Sequence, residues 1–373
     1  MKQRTSAIAS CLLAAAATVL VASPSAAATW TVVPAQAVGT SSLLNGVDAV
    51  SATDGWAVGG SGNGLVERWN GSAWSVVPSP NLLDPADPLA YATLGGVDAL
   101  SATDAFAVGR SSSFGAIAER WNGTRWSRMT LPAVAGGSLT AVKAFSGSNV
   151  IAVGEAKPTS RSRTLALRWN GSTWTEVASP SPGTRNNVLN AVDGASADRV
   201  WAVGYVRNLP YGNRTRQSLV LRWNGSAWSH VPSPAAGQTT TVLNDVAAVS
   251  ATDAWAVGYA QNLGGNAFAA VLRWNGTAWN VAPAPPLATL TGVTALSPAN
   301  VWVTGTDGEG LPQLANWRGS GWTVQPAPAG SGPGSPYLTA TASVGTSTVW
   351  AVGYSHDGTT GQARPMAIRT TNG

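Results

Sequence analysis

A closed all-β ring of seven four-stranded blades, a seven-bladed β-propeller, is predicted by three features of the sequence. The first is a short apolar run ending in glycine that occurs seven times: Trp56-Ala57-Val58-Gly59, Phe106-Ala107-Val108-Gly109, Ile151-Ala152-Val153-Gly154, Trp201-Ala202-Val203-Gly204, Trp255-Ala256-Val257-Gly258, Trp302-Val303-Thr304-Gly305 and Trp350-Ala351-Val352-Gly353. The mean spacing is 49 residues (294 residues over six intervals), the length of one propeller blade. The second is the pattern R-W-N-G-[ST]-x-W at 68–74, 120–126, 168–174, 222–228 and 273–279, with a degenerate copy at 316–322. Asn-Gly between apolar runs is a strong hairpin signal. The third lies at the ends. The chain finishes Ala367-Ile368-Arg369-Thr370-Thr371-Asn372-Gly373, half of that hairpin, and the missing half stands near the beginning as Thr29-Trp30-Thr31-Val32-Val33-Pro34. Ends that complete one another describe a ring, in which no blade is left with an unpaired sheet edge at the junction.

One repeat, taken in order, supplies four antiparallel strands. Strand A is expected over 44–51, a tight turn over 52–54, strand B over 55–59, strand C over 65–69 and strand D over 74–78. All are short and bounded by Gly, Asn, Ser and Pro, as strands are. The blades are placed at about 43–78, 94–132, 138–180, 188–234, 242–283, 289–326 and 338–373, the last completed by 29–34. Two residues before the strand-B aromatic (or its Ile) stand Asp54, Asp104, Asn149, Asp253 and Asn300. Side chains of this type cap tight turns, and that role is expected of them.

Composition fits this reading. Charged residues make up 10% of the 373, and there are 42 glycines and 18 tryptophans against 4 Phe and 6 Tyr. Long solvated helices need more charge than that. Every Trp falls at a repeat position: seven in strand D, six in strand C and five in strand B. Inter-blade packing is therefore their expected role. The Arg that precedes the strand-C Trp is expected to stack or pair within its own blade.

Residues 1–28 read as a signal peptide, with Lys2 and Arg4 before an apolar run from Ile8 to Ala22 and small residues at 25–28. The expected mature chain is a single domain over 29–373, secreted and extracellular, with no membrane span. Cys11, the one cysteine, leaves with the leader, so neither a disulfide nor a thiolate metal site is expected. Removing Lys2 and Arg4 lowers the formal charge from +5 to +3. No Lys/Arg run tracks phosphates, and nucleic acid is not an expected partner.

Functional residues are expected on one face. The A–B and C–D turns are short and nearly constant, whereas the B–C and D–A connections vary in length and share the opposite end of the ring. Variable loops on a rigid scaffold are where recognition usually sits. The candidate binding residues there are Tyr205, Arg207, Tyr211, Tyr259, Tyr354, His356 and Asp357, with Arg214, Arg216, Asp307 and Glu309 nearby. Tyr205, Tyr259 and Tyr354 each follow a strand-B glycine and are expected to line one opening. His230 and His356 are the only histidines, and no acid pair suits glycoside hydrolysis. No catalytic residue, metal site or cofactor is assigned. The segments 307–309 and 356–358 offer a hard cation too few oxygens.

The two repeat signatures resemble those of secreted actinobacterial propeller proteins over essentially the whole mature chain. Kelch-type galactose oxidase is similar in blade number and period. That family uses a Cys–Tyr redox pair, and without a mature Cys such chemistry is not implied. Seven-bladed bacterial propeller lectins carry a similar Trp-rich hairpin, and this resemblance implies glycan binding. Three readings follow: a non-catalytic binding propeller, monomeric, for glycan or cell-wall polysaccharide; an extracellular protein-interaction scaffold; or a hydrolase or lyase with its site in the central funnel.

Overall fold

The computed structural model describes residues 28–208, 215–329 and 336–370. These residues form seven four-stranded antiparallel sheets. In the first blade the strands run Leu43–Ser51, Asp54–Ser61, Asn63–Trp69 and Trp74–Val76. Strand B is longer than the repeat suggests and strand D shorter, because the proline-rich exits near 78, 180, 232 and 283 cannot continue a ladder. The seventh sheet joins Pro336–Val344, Thr348–His356 and Ala363–Thr370 to Trp30–Val33. Trp30 faces Thr370 and Val33 faces Ala367 in register. The fold is thus a seven-bladed β-propeller whose last blade is built from both ends of the described chain. Residues 1–27, where a signal peptide is expected, and the final Thr371-Asn372-Gly373 lie outside the described residues.

The strand-B glycine is dictated by a bulge. In every blade the A–B ladder slips by one residue, between Leu44 and Gly46 in the first and at the matching place in the other six. The slip drives a strand-A carbonyl over strand B. A Cβ at Gly59 would lie 1.9 Å from Leu43 O, and one at Gly204 2.0 Å from Val188 O. No side chain fits, which is why the motif ends in Gly. The bulged residue itself reaches the next blade: Asn45 Nδ2 donates to Leu94 O (2.8 Å), Asn190 Nδ2 to Leu243 O (2.7 Å), Asn244 Nδ2 to Leu290 O (2.7 Å), Thr140 Oγ1 to Leu189 O (2.8 Å) and Thr339 Oγ1 to Leu44 O (2.9 Å).

Blades meet through a repeated aromatic wedge. Trp56 of the first blade sits 5.0 Å from both Trp121 and Trp126 of the second. Trp201 contacts Trp274 and Trp279 at 4.8 and 5.1 Å, Trp255 contacts Trp317 and Trp322, and Trp350 contacts Trp69 and Trp74. Phe106 clusters with Trp169 and Trp174, and Ile151 with Trp223 and Trp228. The sixth junction is closed by Trp302 against Trp30 at 5.3 Å.

Two details of the repeat differ from the sequence reading. Asp54, Asp104 and Asp253 do not cap their turns; Ser51 Oγ does that by accepting from Thr53 N (3.2 Å), as do Ser101 and Ser250. The aspartates instead take a two-pronged grip from Arg68, Arg120 and Arg273, with N–O distances of 2.8–3.1 Å. Strand C places each Arg beside the turn, and a guanidinium satisfies a carboxylate better than two turn amides do. Each Arg also lies over the strand-B aromatic, as expected, at 5.0 Å for Arg68 on Trp56. In the Asn-Gly turns only Gly takes a positive φ (95° at Gly71), while Asn70 Oδ1 accepts from Ser72 N, Ala73 N and Ser72 Oγ.

Trp30→Ala removes the sole aromatic wedge partner at the closing junction. It should cost about 3–5 kcal/mol, the range for deleting a large buried aromatic, and thermal unfolding should drop by many degrees while remaining one transition. A melt like that of the parent chain would count against closure through this strand.

Candidate functional site

The two ends of the ring differ in kind. One end carries the A–B and Asn-Gly turns, whose polar groups are consumed within the turns. The strand-C indoles join this set: Trp69 Nε1 donates to Ala52 O and Trp121 Nε1 to Ala102 O. The other end carries the variable connections. Nine large apolar side chains are exposed among the described residues. Seven of them (Leu89, Tyr91, Phe114, Leu263, Phe268, Leu311 and Tyr337) stand at the variable end; Val76 and Val281 are on the outer strands. None is at the constant end.

Several of these aromatics are held against cations or other rings. Arg110 lies 5.3 Å from the Tyr91 ring centre and bonds its hydroxyl. Arg128 stacks on Phe114 at 3.8 Å. Tyr337 and Tyr354 pack at 5.6 Å, and Tyr354 meets His356 edge-on at 5.1 Å. Arg216 lies 5.0 Å over Tyr205, and its Nη1 donates to Tyr259 Oη at 2.7 Å. Burial raises the phenol pKa of Tyr205 and of Tyr337.

The residues expected from sequence thus fall into two groups. Tyr205 and Tyr259 are brought together through Arg216, from the fourth and fifth blades. Tyr354 and His356 form a second group in the seventh blade with Tyr337. Tyr205 and Tyr259 thus share one arginine across adjacent blades, whereas the ring partners of Tyr354, Tyr337 and His356, belong to its own blade. Arg207 ends a strand opposite Asn186. Tyr211 and Arg214 lie outside the described residues. Asp357 is half-buried and its Oδ1 accepts from Thr359 N and Thr360 N; these backbone bonds hold its carboxyl below the usual range. Asp307 plays the same part for Glu309 N and Leu311 N. Both are turn acceptors, and among the described residues no cluster of three or more His, Cys, Asp or Glu is placed to hold a metal ion. His230 is exposed on an outer strand and borders a cleft between the fourth and fifth blades.

A cluster that sequence reading missed lines the central channel, a cavity of about 360 Å³. Asp48, Asp98, Lys143 and Asp193 occupy one repeat position, opposite the strand-B aromatic or Ile. Aligning strand A across the repeats would have found them. Lys143 Nζ bridges Asp98 (3.1 Å) and Asp193 (3.2 Å), tying the second, third and fourth blades. Asp193 and the other acids raise the Lys143 pKa, so it stays charged. Asp48, Asp193 and Asp245 also accept a backbone N–H of the next blade, from Ala99, Ala248 and Val293, each at 2.8 Å. These groups are bound to the ring itself, and their role is to hold blades in register. Burial pushes the carboxyls of Asp98 and Asp245 up to about 7 and raises that of Asp48. Glu67 and Glu119, fully buried between blades where other repeats have Leu, Ala or Ile, are pushed up to about 7 in the same way. They receive Gln36 N and Ser79 Oγ from the connections that cross above them.

No family model matches the sequence, and a search of curated proteins returns no match. Among solved structures the chain is similar to YCF48 bound to a D1 peptide, with 14% identity, a TM-score of 0.59, and coverage of 92% of this chain and 97% of that one. It is similar to the WD40 β-propeller domain of Doa1 at 11% identity and TM-score 0.60, covering 92% and 98%. The Aleuria aurantia lectin in complex with Fucα1-6GlcNAc is a more distant likeness, at 16% identity and TM-score 0.49, covering 80% and 100%. At these identities the likeness is one of fold. Among the described residues no helix is long and apolar enough to cross a membrane.

The buried acids set a pH dependence. Their folded pKa values lie above the unfolded ones, so their favourable contribution is complete below about pH 4 and is lost as the pH rises through about 7. Unfolding midpoints should therefore be higher near about pH 5 than near about pH 8, and Glu67→Gln should flatten part of that slope. Lys143→Met should steepen it, because Asp98 loses its counter-charge and only protonation relieves it. Parallel melts of the three proteins across this range check both signs.

Proposed function

We propose that this chain is a secreted, non-catalytic binding propeller that recognises glycan or cell-wall polysaccharide through its variable-loop face. One observation carries the reading: seven of the nine exposed large apolar side chains cluster at that end. Four of the seven are aromatic, and Tyr91 and Phe114 each carry a stacked arginine. Flat apolar faces beside hydrogen-bonding cations suit sugar rings, which present C–H faces and hydroxyl edges. Exposed apolar clusters on a soluble scaffold mark interaction sites. The channel acids do not favour the funnel-enzyme reading, since Lys143 and backbone amides already hold them. Secretion rests on the leader-like first 28 residues.

The protein-scaffold reading keeps one specific support. Leu89 and Leu263 are 86% and 80% exposed on loop tips, and bare aliphatic groups contact protein more readily than sugar. A glycan array probed with the purified chain separates the two. Saccharide binding that is lost in Tyr91→Ala or Tyr337→Ala variants of unchanged melting temperature is the expected result. No saccharide binding, together with capture of a protein through the loop face, would sink the glycan reading.

A further inference from the structure

The variable face is electrically divided. Over the third and fourth blades its loops and strand ends carry Lys157, Arg161, Arg163, Arg185, Arg207 and Arg216 against two nearby carboxylates, Glu155 and Glu176. Six cations against two acids leave a local net charge of +4. The connections and strand ends of the first, sixth and seventh blades instead carry Asp84, Asp87, Asp307, Glu309 and Asp357 against one cation, Arg364.

The basic segments are physically joined. Ser162, between Arg161 and Arg163, donates its N–H to Arg185 O (3.1 Å), and Arg185 N donates to Arg207 O (3.1 Å). A loop of the third blade, the connection after it and the end of a fourth-blade strand therefore form one hydrogen-bonded strip. Lys157 pairs with Glu155 at 2.7 Å, and Arg163 pairs with Glu176. Arg161 is exposed, and the contacts of Arg216 are the Tyr205 ring and the Tyr259 hydroxyl rather than a carboxylate. Tyr205 lies under Arg216 on the same strand as Arg207, so the tyrosine pair stands at the edge of the strip. Beside Arg216 a cleft of about 400 Å³ opens between the fourth and fifth blades, with Asn208, Gln217, Gln238 and Thr239 on its walls.

We infer that this sector is the subsite for an anionic polysaccharide, one whose sugar chain carries carboxylate or phosphate groups. The inference rests on the glycan reading above and sharpens it to a charge class and a place. The arginine strip supplies charge-assisted bonds to anions spaced along the chain. The tyrosines supply faces for sugar rings, and the amide and hydroxyl groups of the cleft supply partners for sugar hydroxyls. Both features are needed together: the cations alone would hold any polyanion, and the rings alone would not select for charge.

Binding of the purified chain to polygalacturonate, a poly(glycerol phosphate) polymer, neutral dextran and duplex DNA, measured by calorimetry or biolayer interferometry, tests this. Polygalacturonate or the phosphate polymer should bind, whichever of the two identifying the anion. Affinity should fall with salt between about 50 and 300 mM, as phosphate- or carboxylate-directed binding does. Arg161→Glu, at an exposed residue, should weaken it about threefold or more with an unchanged melting temperature, and the double variant Arg161→Glu/Arg216→Glu about tenfold or more. Arg125→Glu, a charge reversal in an Asn-Gly turn at the opposite end, should leave it as it was. Equal binding to dextran, or an affinity unmoved by the double reversal, overturns the inference while leaving glycan binding intact. DNA binding as tight as the polysaccharide's overturns it by showing a patch indifferent to sugar. Absence of all saccharide binding overturns both this and the glycan reading.

Discussion

The wedge of one blade's strand-B aromatic between the two outer tryptophans of the next blade is the interaction on which the remaining structure depends. A four-stranded sheet this small has two faces to bury and cannot do so alone. Each blade lends its neighbour a large apolar side chain and receives one; the side chain is aromatic in six blades, as with Trp56 against Trp121 and Trp126 and Trp201 against Trp274 and Trp279, and Ile151 in the third. Such pairs add about 0.5–1.5 kcal/mol beyond the area they bury. The arrangement has no natural end, so an open array would leave one wedge without a slot and one slot without a wedge. Trp30, paired into the last sheet from the front of the described chain, fills the final slot against Trp302.

The same demand sorts the chemistry. Tryptophan, so often a ligand platform, is here used up in construction, and the paired Arg and Asp residues lock the constant turns. The charges of the channel are spent on one another: Lys143 spans two aspartates while Asn and Thr side chains stitch inner strands together. What the ring does not consume lies at the opposite end, where exposed tyrosines, phenylalanines and arginines gather on connections free to vary. The proposed binding role for that face rests on what is left over after the scaffold has been satisfied, and the uneven charge of the face gives the proposal a direction.

Much of the fold was legible because its constraints repeat. Seven glycines under a bulged carbonyl, and Trp at fixed places, leave a periodic trace that needs no three-dimensional information. The split hairpin was legible for the same reason, since Thr29-Trp30-Thr31 matches Thr173-Trp174-Thr175. The carboxylates were less so. Asp54 at a turn looks like a cap until strand C brings Arg68 alongside, a contact fourteen residues away that only the sheet creates. Asp48, Asp98, Lys143 and Asp193 share a repeat position, yet their side chains differ in sign, and the link among them exists only across the channel. On the variable face the loops do not repeat, so nothing in the sequence announced that Arg216 would join Tyr205 to Tyr259 while Tyr354 turned to His356.

Closure is the claim that supports all of these, and a covalent probe tests it directly. Without Cys11 the chain has no thiol, so a single engineered pair reports without interference. Thr31 and Arg369 are in-register partners, and antiparallel partners sit about 4.5–5.5 Å apart at Cα, within reach of a disulfide. Oxidation of a Thr31→Cys/Arg369→Cys variant of residues 29–373 should yield an intramolecular disulfide in nearly every molecule, and reducing it should lower the unfolding temperature. Two thiols that remain free and reactive in the folded, oxidised protein would contradict a ring closed by its own ends.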